Sequence, residues 1–366
     1  NLNKIMKVEL QKKEIEKVLS VLSLIAPKKS PLPITDNYHI SVNKNEMTIS
    51  VNTLEEEGKA TLPCESEEKF NFLVDIVKFS KVVQLSEDKI KMTYTEKNHV
   101  LEIVSGKAKY KYSVQEHEDF PVWEKIEKYQ EVTIPKITEI FKRSIPAVNK
   151  DELRRNMSGI YVGEKEIVAT DGFRLIVNPI ESTCKTPIII PLKFCTFIAK
   201  LTSDNIVLRI SENDLELIYD SYRFRTKLID DTFPTYKTVI PHDDTLVRKM
   251  TVKVQDLIKS LMIAKTSGDS FTDVVKMEYV DETTLKISAS SAEAGSEAET
   301  LIECKTEIED PTKYPVKCGF KNQYWMECLN FITDETVTIQ TTSSDSKAAI
   351  VKTNEFTYLI MPRRVA

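Results

Sequence analysis

The sequence predicts an α+β protein made of three copies of one unit, each with two helices packed on antiparallel sheet. Three observations carry this. An apolar stripe at helical spacing occurs three times, beginning at Ile15, Ile137 and Val254. Each stripe leads into a pair of strand-like segments. Each pair is followed by a second helix, an acidic turn and an alternating strand. The unit is about 115–125 residues long, and three such units fill a chain of 366 residues.

The first helices come from periodicity. Lys12 to Ile25 places Ile15, Val18, Leu19 and Leu22 on one face; Lys136 to Val148 does the same with Ile137, Ile140, Phe141 and Ile145. Lys253 to Ala264 repeats the pattern with Val254, Leu257, Ile258 and Leu261. Pro146 lies inside the second of these and should kink or end it. The strand pairs that follow are Tyr38 to Ser50, Gly159 to Ala169 and Val275 to Ser288. The second helices are Leu73 to Leu85, the segment of Phe194, Phe197, Ile198 and Leu201, and Asn322 to Ile332. Acidic turns follow at Ser86-Glu87-Asp88, Ser203-Asp204-Asn205 and Thr333-Asp334-Glu335. The next strands alternate: Ile90, Met92, Tyr94; Ile206, Leu208, Ile210; Val337, Ile339. Alternation of this kind marks a sheet with one buried face. Breaks between the repeats give units 6–127, 128–247 and 248–366. Met6 reads as the natural start; residues 1–5 are either a non-native addition or an upstream extension, and are set aside from the fold.

Composition narrows the function classes. No apolar run is long enough to span a membrane, and no secretory leader is visible. Six scattered cysteines without metal spacing suit reduced thiols in a cytoplasm. A net charge of −5 disfavours a uniformly basic nucleic-acid binder, though charge can be segregated by face. Eight glycines leave little material for a phosphate-binding loop. The four histidines, His39, His99, His117 and His242, form no metal-binding pair on a helix, and no nucleophile elbow occurs. The acid pairs Asp230-Asp231 and Asp243-Asp244 flank prolines in turns. Neither a catalytic group nor a cofactor is called for. Lysines and arginines recur on the non-core positions of the helices: Lys12, Lys13 and Lys17; Lys142 and Arg143; Lys259 and Lys265. Acid runs at Glu55 to Glu57 and Glu307 to Asp310 fall near strands and loops. Such a chain can turn one cationic face toward phosphates.

Four segments carry a family resemblance. They are Leu32-Pro33-Ile34, Ala169-Thr170-Asp171-Gly172-Phe173-Arg174-Leu175, Phe233-Pro234-Thr235-Tyr236 with its continuation to Pro241, and Tyr358-Leu359-Ile360-Met361-Pro362-Arg363-Arg364. In order and within a threefold repeat, they resemble the bacterial DNA polymerase III β subunit, the sliding clamp, from Met6 to the end. Phe173 stands where that family commonly has histidine, and Thr238 where a basic residue is frequent.

The resemblance implies three clamp domains and a head-to-tail homodimer forming a closed ring. The ring would encircle duplex DNA without sequence preference and confer processivity. Its implied partners are the polymerase III catalytic subunit, the clamp loader, and other polymerases and repair proteins that dock short peptides. Carried over by position, the peptide pocket is Met157, Thr170, Gly172, Phe173, Arg174, Leu175, Pro234, Val239, Leu359, Met361 and Pro362. DNA-contact candidates are Lys29, Lys107, Lys109, Arg154 and Arg155. Dimer candidates are Tyr110 and Tyr112 on an edge strand, opposite Ile263 and Phe271. The rival readings are an open monomeric DNA-binding scaffold, separable by oligomeric mass, and a metal-dependent nuclease, separable by DNA turnover.

Overall fold

The structure, a computed structural model, describes residues 4–27, 29–151, 153–202, 205–308, 317–342, 344 and 346–364. Ser203 and Asp204, Glu309 and Asp310, and the tail residues Val365 and Ala366 lie outside the described residues.

Each repeat runs strand, helix, four strands, helix, three strands. The first holds β1 (Ile5–Gln11), α1 (Lys12–Leu22), β2 (Asn37–Asn43), β3 (Glu46–Asn52), β4 (Glu56–Pro63), β5 (Lys69–Asp75), α2 (Ile76–Leu85), β6 (Lys89–Thr95), β7 (Val100–Ser105) and β8 (Ala108–Ser113). The second holds β9 (Gln130–Val132), α3 (Ile137–Ser144), β10 (Gly159–Val162), β11 (Glu166–Thr170), β12 (Arg174–Pro179), β13 (Ile188–Pro191), α4 (Leu192–Ile198), β14 (Val207–Ile210), β15 (Asp214–Tyr219) and β16 (Tyr222–Lys227). The third holds β17 (Arg248–Lys253), α5 (Val254–Ser267), β18 (Val274–Asp281), β19 (Thr284–Ser291), β20 (Ser296–Ile308), β21 (Lys317–Lys321), α6 (Asn322–Leu329), β22 (Thr336–Thr341), β23 (Ala349–Lys352) and β24 (Thr357–Ile360).

The helical stripes bury the side chains their spacing selects. Ile15, Val18, Leu19 and Leu22 are the buried positions of α1, with charged residues between them exposed. The helix stops at Leu22 rather than Ile25, although Ile25 stays buried. Helix α3 stops at Ser144, and Ile145–Ala147 continues as a 3-10 turn. Pro146 explains this break, because it lacks the amide hydrogen that a longer α-helix needs.

Other boundaries differ from the sequence reading too: α4 ends at Ile198, before Leu201, and α6 at Leu329, before Ile332. Leu73, Val74 and Asp75 end strand β5 instead of starting α2, with Leu73 paired to His39 and Val74 to Tyr38. The apolar run there hides the switch from period two to helical period. Asp75 marks it instead: its Oδ1 accepts the Lys78 amide hydrogen at 2.7 Å and caps the helix. Each repeat also opens with a strand ahead of its first helix, which the sequence reading did not assign. Ile5 belongs to β1 and pairs with Thr95, so the first strand starts within the segment set aside as an extension.

Within a repeat the first strand joins the last three, and the middle four strands form their own set. The sets then fuse between repeats. β4 pairs antiparallel with β16, giving an eight-stranded sheet, and β12 pairs with β24 within a twelve-stranded one. In the third repeat β20 is long enough to pair with β19 through Ser296–Glu303 and with β17 through Cys304–Ile308. The chain divides into two compact units, residues 1–137 with 200–228 and residues 138–199 with 229–366. The division runs through the second repeat, since each seam sheet lies wholly within one unit.

In the second unit, Trp325 of α6 is fully buried, with its ring edge-on to Phe320 at 5.6 Å between centroids. In the first, His39 of β2 stacks on His117 at 5.7 Å. Burial, and then the charge of His117, pushes His39 down from 6.5 to about 4. All six cysteines are free. No helix among the described residues is long and apolar enough to cross a membrane.

Two predictions follow from this packing. Trp325→Ala should lower the free energy of unfolding by about 3–5 kcal/mol, against about 1 kcal/mol for Asp75→Ala at the α2 cap, as read from urea midpoints. The second concerns acid. Folded His39 binds its proton less readily than unfolded His39, so its contribution is intact above pH 6.5 and falls away as pH drops toward 4. His39→Phe should therefore flatten the dependence of the unfolding midpoint on pH across that window; an unaltered slope would refute the assignment.

Candidate functional site

The site is built around the turn joining β11 to β12. Asp171 shapes this turn through its own carboxylate: Oδ1 accepts the amide hydrogens of Phe173 at 2.9 Å and Arg174 at 3.0 Å. Thr170 Oγ1 accepts the Gly172 amide hydrogen at 3.1 Å and donates to the Arg174 carbonyl at 2.7 Å. Gly172 has φ of +86°, a conformation that glycine adopts without strain. The turn lifts Phe173 to 43% exposure.

Arg174 points the other way. Expected at the pocket surface, it is only 7% exposed beneath the turn. Its Nε donates to Asp171 Oδ2 at 3.0 Å, Nη1 to Glu327 of α6, and Nη2 to the Pro146 carbonyl. The Tyr324 ring lies 4.2 Å from the guanidinium carbon. Burial alone would weaken its hold on the proton; Tyr358, Glu327 and Asp171 reverse this and push the pKa up. Arg174 is thus a charged internal strut.

The floor comes from two strands of different repeats. Leu175 of β12 faces Leu359 of β24 in register. Both belong to a buried cluster with Val168, Ile189, Phe233, Tyr236, Leu246 and Ile350. Met361 packs against this cluster from the tail, and Ile240 from the connector. The tail is fixed to the turn, because the Met361 amide hydrogen bonds the Phe173 carbonyl at 2.8 Å. Arg363 donates its amide hydrogen to Gly319 at 2.8 Å and lays its guanidinium over the Phe173 ring, 4.5 Å from the centroid. On the connector, the 3-10 turn Tyr236–Val239 leaves Val239 56% exposed. The Tyr236 hydroxyl donates to Glu166, which also pairs with Lys237 at 2.7 Å. Pro234, Pro362 and Met157 are half-buried, Met157 in the 3-10 turn Arg155–Met157. Thr238 is exposed and bonds the Thr235 carbonyl at 2.8 Å.

This surface presents exposed Phe173 and Val239 and half-buried Met361 over a leucine floor, with cationic Arg363 at one side. It is suited to apolar side chains; fully burying one Leu or Phe contributes about 1.5–3 kcal/mol. The sequence reading missed Tyr236, Ile240, Leu246 and Ile350 as part of this cluster. Tyr236 lay inside a quoted motif and could have been found there. Ile240 lay in the continuation of the same motif; Leu246, in a loop, and Ile350, on β23, have no local signal.

The DNA candidates separate. Lys29, Lys107 and Lys109 are exposed residues of the first unit; Lys107 lies in the β7–β8 hairpin, and Lys109 pairs with Glu102 at 2.9 Å. Arg154 and Arg155 are exposed in the second unit. Arg154 Nη1 lies 3.6 Å from where a Cβ on Gly172 would stand, which puts it beside the pocket turn. Among the dimer candidates, Tyr110 and Tyr112 are half-buried on β8, the edge of its four-stranded sheet. Ile263 is half-buried on α5, and Phe271 is 95% exposed. Among the described residues, no three His, Cys, Asp or Glu side chains converge on a metal site.

Comparison with known proteins covers almost the whole chain. Family profiles of the DNA polymerase III beta subunit match in order: the N-terminal domain at residues 6–124, the central domain at 131–235 and the C-terminal domain at 237–364. The beta sliding clamp of Vibrio cholerae is 24% identical over 98% of this chain and 100% of its own length. That of Escherichia coli K12 is 26% identical with the same coverage. A crystal structure of the DNA polymerase sliding clamp from Bacillus subtilis shares the fold, with a TM-score of 0.90 at 18% identity over 99% of this chain and 100% of that one. Three domain profiles in sequence, on a fold of three matching repeats, place the chain in the family of the DNA polymerase III beta subunit, the beta sliding clamps.

Proposed function

We propose that this chain is a DNA sliding clamp subunit, two copies of which join head to tail in a ring around duplex DNA. The ring is non-catalytic, needs no cofactor, acts in the cytoplasm and holds a replicative polymerase on its template. Its domains are 6–127, 128–247 and 248–366. The surface around Phe173, Val239 and Met361 receives short apolar peptides of the polymerase III catalytic subunit, the clamp loader and repair proteins. Lys29, Lys107, Lys109, Arg154 and Arg155 are the candidate cations for phosphate contact, which a topological link allows to be few and mobile.

One observation supports the ring above all. Both seams inside the chain are strand additions, β4 to β16 and β12 to β24. The third pair in this series is β20 with β8. Among the described residues of one chain these edges are open: β8 ends its sheet, and Ser296–Glu303 of β20 pairs only with β19. A second copy supplies the missing partner for each. The edges also match in chemistry. β8 exposes Lys109 and Lys111 on one face and half-buries Tyr110 and Tyr112 on the other. The free stretch of β20 exposes Glu297, Glu299, Leu301 and Glu303 and turns Ala298, Thr300 and Ile302 inward.

Retention on nicked circular DNA, after loading with a clamp loader and ATP, tests the ring. Linearising the circle should release the protein; equal retention on both forms would favour the open scaffold. Sedimentation tests the interface. The double variant Lys109→Glu with Lys111→Glu should be monomeric, as should Glu297→Lys with Glu299→Lys, while an equimolar mixture of the two should restore dimers. Dimers in both variants alone would show that these charges do not set the pairing.

A further inference from the structure

We propose that Arg174 is a positioning residue of the peptide pocket, and that Glu327, outside the pocket lining, sets the pocket's affinity through it. This deepens the reading of the Phe173 surface as a peptide site and rests on it. The chain of contacts is continuous. Glu327 of α6 receives Arg174 Nη1, and the Pro146 carbonyl receives Nη2. So anchored, Arg174 Nε fixes Asp171 Oδ2 at 3.0 Å. Asp171 Oδ1 in turn holds the amide hydrogens of Phe173 and Arg174, which defines the turn that raises the Phe173 ring. The Phe173 carbonyl then holds the tail through Met361.

Each link constrains the next for a geometric reason. A guanidinium has its donors in a rigid fork, so engaging Nη1 and Nη2 on α6 and Pro146 dictates where Nε points. The Tyr324 ring at 4.2 Å closes the face of the guanidinium. Gly172 has no side chain to hold the turn and sits at positive φ, so the turn is held by its neighbours: Thr170 closes its base, and Asp171 fixes the amides of Phe173 and Arg174. Glu327 itself is partly exposed, and its other side-chain contact is Gln323 Nε2 at 2.7 Å on the same helix. Removing its charge leaves the pocket lining intact but loosens the guanidinium, which keeps the Pro146 carbonyl and the Tyr324 ring, and with it Asp171. A ligand must then order the turn on binding, and apparent affinity falls by the fraction of chains in the competent turn.

The test uses the full chain and a fluorescein-labelled ten-residue peptide with adjacent Leu and Phe anchors, read by anisotropy. Glu327→Gln should weaken binding about tenfold, the loss expected for one charge-assisted hydrogen bond. Arg174→Lys, which keeps the charge and loses the fork, should weaken it at least as much. Hydrogen exchange read by mass spectrometry gives the second measurement. In Glu327→Gln the amides of Phe173 and Arg174 should exchange faster while α6 keeps its protection. Unchanged peptide affinity in Glu327→Gln would overturn the proposal, and so would faster exchange confined to α6. Failure of the unaltered chain to bind the peptide would instead remove the peptide-site reading, and this proposal with it.

Discussion

Backbone hydrogen bonds between β12 and β24 join the second repeat to the third, and those between β4 and β16 join the first to the second. A strand edge is a row of unpaired donors and acceptors, and pairing it with the next repeat satisfies them while fixing register. Register decides which side chains meet. At the β12–β24 seam it sets Leu175 against Leu359, and the apolar floor of the candidate site follows from that one alignment.

The two seams have the same backbone arrangement and different chemistry. The position of Leu175 in the second seam corresponds to Glu57 in the first, and Leu359 corresponds to Arg225. The first seam is therefore charged, and the connector after the first repeat covers it. Trp123 lies 5.0 Å from Arg225 and 5.2 Å from Lys227, and the Glu124 carbonyl accepts from Arg225. The connector after the second repeat behaves otherwise. Phe233 and Tyr236 enter the buried cluster, leaving Val239 and Phe173 at the surface. Two near-copies of one joint thus carry one charged surface and one apolar surface.

Buried arginines stiffen the second seam. Arg143 reaches from α3 to Asn178 of β12 at 2.6 Å and to Glu355 at 2.7 Å, while Asn178 also bonds Ser144 and the Ile167 carbonyl. Arg174 ties the same strand to α6 and Pro146. A buried guanidinium is tolerated only when its donors are occupied, and these networks occupy them. Such charge adds less to net stability than to uniqueness of geometry. That is the property a shallow recognition surface needs if its loop and tail are to be preformed.

The sequence by itself determined the threefold repeat, the helical stripes and the Pro146 break. These depend on local spacing or on one residue's backbone limits. It also located Leu175, Leu359 and Met361, through motifs that recur in a known family. Other features had no local signature. The opening strands β1, β9 and β17 were missed: β9 is only three residues long and is defined by its neighbours, whereas the alternation of Met6, Val8 and Leu10 in β1 was a signal left unread. Leu73 to Asp75 read as helix, because a continuous apolar run fits either period. Arg174 read as a surface residue, because its partners Pro146 and Glu327 are far off in the chain and only folding brings them together. Periodicity shows which face of an element is buried; what that face is buried against depends on long-range pairing, and that the tertiary structure alone decided.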